Sequence, residues 1–286
     1  MTHTIRAWST ETPGLLWRGQ TSNTKTGNIP TAYVREELYD AGCRGCPHYG
    51  QADDRPEDQR NKSGRRNVTC YAHNGRTRQG ARGLNRRARQ QPQQYTVEAA
   101  MTQRVISARY ARLTAIGDLA AIHPDEVEHA LTTIRAHGLT PIAYTARWAL
   151  TAMQYLRGVA LASVTSPTMA ERAVAKGWKV ARTVSADVFG QAVAAAEVNG
   201  LVHQTLNVNG IVHQALNVTV QTSAGLLIAC PAQVSQLRGT PRVSCNDCGL
   251  CPAVQKMPTR AGIAFAEHGK HPRGRAWTRM VQAEQG

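Results

Sequence analysis

The stretch that decides the fold is His123-PDEVEHALTTIRAH-Gly138 together with the alternating runs after it: Pro141-IAY-Thr145, Ala149-LTAMQYLR-Gly158, Val159-ALAS-Val164, Pro167-TMAERAVAK-Gly177, Trp178-KVART-Val184 and Ala186-DVFGQAVAAAE-Val198. In the first piece Val127, Ala130, Leu131 and Ile134 recur at helical spacing, and Gly138 ends the run. Short apolar runs rich in Val, Ile and Ala then alternate with helical stretches. Helices are expected over 123–138, 149–158, 167–177 and 186–198, and strands over 141–145, 159–164 and 178–184. Such alternation means βαβ units around a parallel sheet. Four or more units predict an α/β fold with a partial or complete (β/α) barrel-like parallel sheet. A doubly wound open sheet is the alternative. In either case ligands belong at the carboxyl ends of the strands.

Upstream, Arg112 to Ile116 reads as a strand, and Thr96 caps a helix start at Val97. Residues 1–40 read as irregular with a short extended piece. The segment Gln51–Arg66 is nearly devoid of apolar residues and reads as an insertion between Cys46 and Cys70. Downstream, Asn199-GLVHQTLN-Val208 is repeated as Asn209-GIVHQALN-Val218. Two copies with Asn-Gly turns fit a hairpin made by tandem duplication, with His203 and His213 as further candidate ligands. Thr219 to Ala229 reads as a strand that delivers Cys230. The expected organisation is an Arg-rich, cysteine-containing segment over 1–94, a (β/α) core over 95–229, a metal-binding segment over 230–271 and a basic tail over 272–286.

The 286 residues hold 34 Lys plus Arg against 19 Asp plus Glu, a formal charge of +15. That excess points to a polyanionic partner. Arg76, Arg78, Arg82, Arg86, Arg87 and Arg89 form its densest cluster, within RTRQGARGLNRRARQQPQQ at 76–94. Arginine suits phosphate because its planar fork bonds two oxygens. Nucleic acid, DNA ahead of RNA, is the expected partner, met by an arm that orders on binding. The opening residues have no signal-peptide core, and no run of about eighteen apolar residues occurs, so no membrane is expected. The expectation is a cytoplasmic protein (host cytoplasm if phage-encoded), where disulfides do not persist.

The seven cysteines fall into two sets. Cys245-Asn-Asp-Cys248-Gly-Leu-Cys251 puts three thiolates around one point, and Cys230, followed by proline, supplies a fourth. Such a shell suits a [4Fe–4S] cluster or tetrahedral zinc. With zinc, His268 is an alternative fourth ligand. Cys43, Cys46 and Cys70 make a second set with no evident fourth cysteine. It is either an open metal site, with S-adenosylmethionine or water at the free position, or a structural zinc site closed by His48 or His73.

Polar residues recur where strands are expected to end. Asp118 follows the first strand; Tyr144, Thr145 and Arg147 close the second; Ser163 and Ser166 close the third; Ser185 and Asp187 close the fourth. Asp118, Tyr144, Arg147 and Asp187 are the candidate catalytic residues, with Asp118 as base, nucleophile or ligand-binding carboxylate. Helix capping is the competing role, above all for Ser166 and Asp187.

Several motifs occur in a telling order: Thr24-Lys-Thr-Gly-Asn-Ile-Pro30, the Cys43/Cys46 pair, Cys70-Tyr-Ala72, Gly117-Asp118, Tyr144-Thr145, Cys230-Pro-Ala-Gln233, Cys245-x-x-Cys-Gly-Leu-Cys251 and Ala264-Phe-Ala-Glu-His-Gly269. The set resembles a family of phage proteins akin to the phage gene product 88 domain, over about residues 22 to 270. Some members are labelled rolling-circle replication initiators, which implies action on DNA. The His-apolar-His metal pair of such initiators is absent here. By analogy, two enzyme types share parts of the pattern: radical S-adenosylmethionine enzymes with a three-cysteine and an auxiliary cluster, and zinc transglycosylases with a (β/α) barrel and catalytic aspartates. The leading expectation is a metal-dependent enzyme that modifies DNA or its nucleobases, with an open three-cysteine site near Asp118 and a closed four-ligand site; a non-enzymatic, zinc-stabilised nucleic-acid binder associated with replication is the alternative.

Overall fold

The computed structural model describes residues 13–21, 26–43, 46, 51–52, 65–66, 75–198, 204–208, 211–215, 218–239, 243–266, 279–280 and 282. The chain forms two compact units. One comprises residues 1–21 and 29–147, the other 22–28 and 148–286. The expected 95–229 core is thus shared between them.

In the first unit, β1 (Leu15–Arg18) pairs antiparallel with β2 (Thr31–Val34). After α1 (Tyr39–Cys43) come the two-residue strands β3 (Gln51–Ala52) and β4 (Arg65–Arg66), which pair with each other. Then come α2 (Gly75–Gln90), α3 (Val97–Thr102), β5 (Tyr110–Arg112), α4 (Pro124–Ala136) and β6 (Thr140–Thr145). The strand order is β1-β2-β5-β6, with β2, β5 and β6 mutually parallel.

Leu15, Leu16 and Trp17 are all buried, which marks β1 as core despite its place in the stretch expected to be irregular. Helix α4 meets expectation: Val127, Ala130, Leu131 and Ile134 are buried, His123 caps it and Pro124 opens it. Its Glu126 docks β1, accepting Gly14 N–H and Leu15 N–H at 2.8 Å each. The arginine-rich stretch is not an arm. It is the helix α2, because Ala81, Leu84 and Ala88 fall on one buried face, where Leu84 and Ala88 pack on Leu16. The first expected strand is also shorter than 112–116. Thr114 sits at φ +59°, a left-handed conformation that strains a β-branched residue and ends the regular strand. The backbone still bonds β2 beyond it, from Ala115 N to Ala32 O and from Val34 N to Ile116 O.

The second unit contains β7 (Ala160–Val164), α5 (Pro167–Ala175), β8 (Val180–Val184), α6 (Ala186–Val198), β9 (Gln204–Val208) and β10 (Ile211–Ala215). Next come β11 (Thr219–Thr222), β12 (Gly225–Ala229), α7 (Pro231–Leu237), α8 (Cys245–Cys248), α9 (Leu250–Ala253) and β13 (Gly262–Ala266). The duplicated segment forms the expected hairpin, β9 antiparallel to β10 with Val208 opposite Ile211. Two expectations change. The helix foreseen over 149–158 is a 3-10 turn, Thr151–Leu156, whose Gln154 side chain donates to Trp148 O and Leu150 O and accepts Trp178 Nε1–H. The strand foreseen over 219–229 is a hairpin, turning at Gly225 with φ +111°.

The order here is β7-β8-β13-β12-β11, parallel except for the last pair. A (β/α) barrel would place consecutive strands side by side. Instead the last strand among the described residues, β13, enters between β8 and β12. It can because Gly262-Ile-Ala-Phe-Ala266 is apolar on both faces, as a central parallel strand requires. Gly262 lies so close to β8 that a Cβ there would stand 1.9 Å from Val180 O. The result is an α/β fold with a mostly parallel sheet.

Candidate functional site

The C-terminal cysteines lie on successive elements of the second unit, of which α7 and α8 are in contact. Strand β12 ends at Cys230, whose N–H donates to Ala264 O at 2.9 Å. Cys230 then caps α7, with Pro231 at the first helical position. Helix α7 packs against α8, and Ser235 Oγ accepts Val243 N–H at 3.4 Å. In α8, Cys245 and Cys248 are three residues apart and share one helical face. Ser244 and Asp247 form a capping box, with Asp247 Oδ2 accepting Ser244 N–H at 3.3 Å and Ser244 Oγ–H at 2.5 Å. Gly249 adopts φ +63° and ends α8, so Cys251 starts a new turn in α9. That left-handed step is why a glycine separates Cys248 from Leu250 and Cys251.

Burial pushes the Cys248 thiol well above its ordinary range, and Cys251, Cys230 and Cys245 each push it further. The sulfurs are not drawn to coordination distance: among the described residues no three His, Cys, Asp or Glu side chains are arranged to hold a metal ion. The donor set itself suits zinc or an iron–sulfur cluster.

Two neighbours carry no metal-ligand signature in the sequence. Gln233 is 2% exposed and clamps the end of β13, donating from Nε2 to Ala266 O at 3.1 Å and accepting Ala266 N–H at Oε1 across 2.9 Å. Thr26 and Gly27 lie against the cysteine turn. Asn246 N–H donates to Thr26 O at 3.2 Å, and a Cβ on Gly27 would meet Ser244 Oγ at 2.8 Å. The only hint of either was membership in the Thr24–Pro30 and Cys230–Gln233 motifs.

The first unit brings Asp118, Thr145, Arg147 and the Cys43 helix together. Asp118 is 6% exposed. Its Oδ1 accepts Ala120 N–H at 3.0 Å and Thr145 Oγ1–H at 2.8 Å, and its Oδ2 accepts Ala146 N–H at 2.7 Å. Burial raises its pKa; these hydrogen bonds and the Arg147 charge oppose the rise. Thr145 Oγ1 in turn accepts Arg147 N–H at 3.0 Å. A carboxylate with three donors holds the turn after β5 to the end of β6, in addition to capping Leu119–Ala121. Helix α1 packs on the same turn: a Cβ on Gly42 would lie 3.0 Å from Asp118 O. Cys43 is thus the residue next to this contact, and Cys46 N–H bonds back to Cys43 O at 2.9 Å.

The remaining candidates are dispersed. The Arg112 guanidinium lies over the half-buried Tyr144 ring, 5.7 Å from its centre. Arg147 Nε is buried with no hydrogen-bond partner among the described residues. Asp187 is exposed in the first turn of α6, where Ser185 Oγ accepts Val188 N–H. Ser166 caps α5 through Met169 N–H at 3.2 Å. On α2, Arg82 pairs with Glu36 at 3.0 Å, Arg89 pairs with Glu37, and Arg87 donates to Tyr95 Oη at 3.3 Å; Arg86 is exposed. Cys70, His48, His73, His203 and His268, with the side chains of Arg76, Arg78 and His213, lie outside the described residues. No family model, no curated protein and no solved structure matches the chain.

Proposed function

We propose that this protein binds nucleic acid and that a metal held by Cys230, Cys245, Cys248 and Cys251 fixes the fold of its second unit. The observation that carries the metal is the placement of Cys230 at the head of α7, which packs on α8, the helix that holds Cys245 and Cys248. Four thiolates close the coordination shell, and a closed shell is structural. The metal, zinc or the iron of a [4Fe–4S] cluster, would draw the sulfurs inward and lock α8 and α9 onto α7. A net charge of +15 supplies the attraction to phosphate. The order of motifs shared with the phage gene product 88 type agrees with a replication-associated role on DNA.

The experiment is metal analysis and a visible spectrum of protein purified without oxygen, with the Cys248→Ser variant beside it. Bound zinc, or iron with a brown colour, that is lost in the variant supports the centre. Metal-free protein of undiminished stability removes it. Binding to duplex DNA that weakens linearly in log–log salt plots supports the partner.

A second reading is an enzyme that modifies nucleobases at a metal on Cys43, Cys46 and Cys70, with S-adenosylmethionine or water at the open position. The contact of Gly42 with Asp118 favours it, since it puts the cysteine helix against the backbone of the residue that carries the buried carboxylate. In that reading Asp118 positions the site, because its oxygens are already engaged. Turnover that survives Asp118→Asn in folded protein would agree with positioning.

A further inference from the structure

The exposed large hydrophobic residue that stands furthest into solvent is Ile106, at 102% exposure. It tips the loop between α3 and β5. The loop is pinned at both ends, so the side chain is presented and not free to fold back. Gln103 N–H bonds Ala99 O, Ala108 N–H bonds Val105 O, and Thr140 N–H bonds Arg109 O, at 2.9–3.0 Å. Gln20 Nε2 donates to Gln103 O at 3.0 Å, and Arg104 Nη1 donates to Met101 O at 2.6 Å. Gly19 comes so close that a Cβ would meet Ala100 O at 2.7 Å.

This loop belongs to the amino edge of the parallel strands of the first unit. Arg18 ends the antiparallel β1 opposite Thr31, the start of β2. Arg109 precedes β5, and Arg135 and His137 end α4 just ahead of β6. Arg18, Arg109, Arg135 and His137 are exposed. The loop and the residues that lead into β6, 99–109 and 135–139, contain no Asp or Glu, and Glu98 just before the loop is paired with His129 at 2.6 Å. The edge therefore carries four exposed basic side chains and one exposed apolar one. A mainly basic edge suits a polyanion. A single branched apolar tip between arginines is the device by which proteins unstack a base step from the minor groove.

We propose that this edge meets duplex DNA, with Ile106 wedged between adjacent base pairs and Arg18, Arg109 and Arg135 on the flanking phosphates. The proposal rests on the nucleic-acid reading and names the contact surface for it.

The test uses the full chain and a duplex carrying 2-aminopurine, with Ile106→Ala and Ile106→Met as variants. Ile106 lies outside the core, so both are expected to fold. The wild type should raise 2-aminopurine fluorescence several-fold on binding. Ile106→Ala should bind roughly tenfold more weakly, with an unchanged salt slope and no fluorescence rise; Ile106→Met should restore the rise. An equal rise with Ile106→Ala overturns the wedge and leaves nucleic-acid binding standing. No duplex binding by the wild type at low salt overturns both. Vesicles of anionic lipid are the control: binding to them that needs Ile106, with duplex binding unchanged in Ile106→Ala, would assign the edge to a membrane surface instead.

Discussion

Asn246 donates its backbone N–H to the carbonyl of Thr26 across 3.2 Å, joining residues 220 positions apart. Thr26, Gly27 and the C-terminal cysteine motif are therefore parts of one construction. Thr26 is 3% exposed there, and Gly27 holds φ +73° against Ser244.

Gly27→Ala should disturb that construction twice, by forcing a left-handed backbone on alanine and by pressing a methyl on Ser244. We expect a loss of about 1–3 kcal/mol. Faster release of the proposed metal to a chelator should accompany it, measured at fixed temperature. Release at the wild-type rate would separate the segment from the centre.

Asp118→Ala removes the acceptor for three donors and should cost about 2–4 kcal/mol in denaturant unfolding. Thr145→Val removes one donor and should cost less. The two losses should not add, because both changes break the same bond, and a double-mutant cycle measures the difference. Additive losses would show that Thr145 is held by something else.

Burial raises the pKa of Asp118 above its ordinary 3.8 and that of Glu126 above its ordinary 4.5. In each case the folded chain binds its proton more tightly than the unfolded chain does. Stability should then increase as pH falls through the raised folded values toward those ordinary ones, and decrease as pH rises through the same window. Thermal melts across mildly acidic pH check this. Asp118→Asn with Glu126→Gln should flatten the slope; an unchanged slope would assign it to other groups.

Gly262→Ala places a methyl within 1.9 Å of the Val180 carbonyl, at the centre of the second unit's strands. Main chain cannot yield there as a side chain would. We expect a loss above about 4 kcal/mol, enough to prevent recovery of folded protein. Gly138→Ala, which meets nothing within 4 Å but keeps a left-handed φ of +73°, should cost only about 1 kcal/mol.

The sequence by itself determined the repeating units. Helix α4, strands β6, β7 and β8 and helices α5 and α6 arise from spacing that local physics enforces: helical stripes such as Val127–Ile134, caps such as Ser166, and glycines after the last turn. The turn that carries Cys245, Cys248 and Cys251 was also legible, because the three fall within seven residues around Gly249, which takes a positive φ. Periodicity could not reveal α2 as a helix under its arginines, since only Ala81, Leu84 and Ala88 mark its buried face and Leu16, its partner, is remote in sequence.

Only the tertiary structure decided where distant pieces meet. No local pattern places β13 between β8 and β12; two-sided burial and the closeness that Gly262 permits do so. None assigns Asp118 to three hydrogen bonds, two of them reaching the end of β6, or sets Gly42 against it. Strand order and site geometry depend on contacts between segments, and their energies arise only when chain entropy has been spent bringing those segments together.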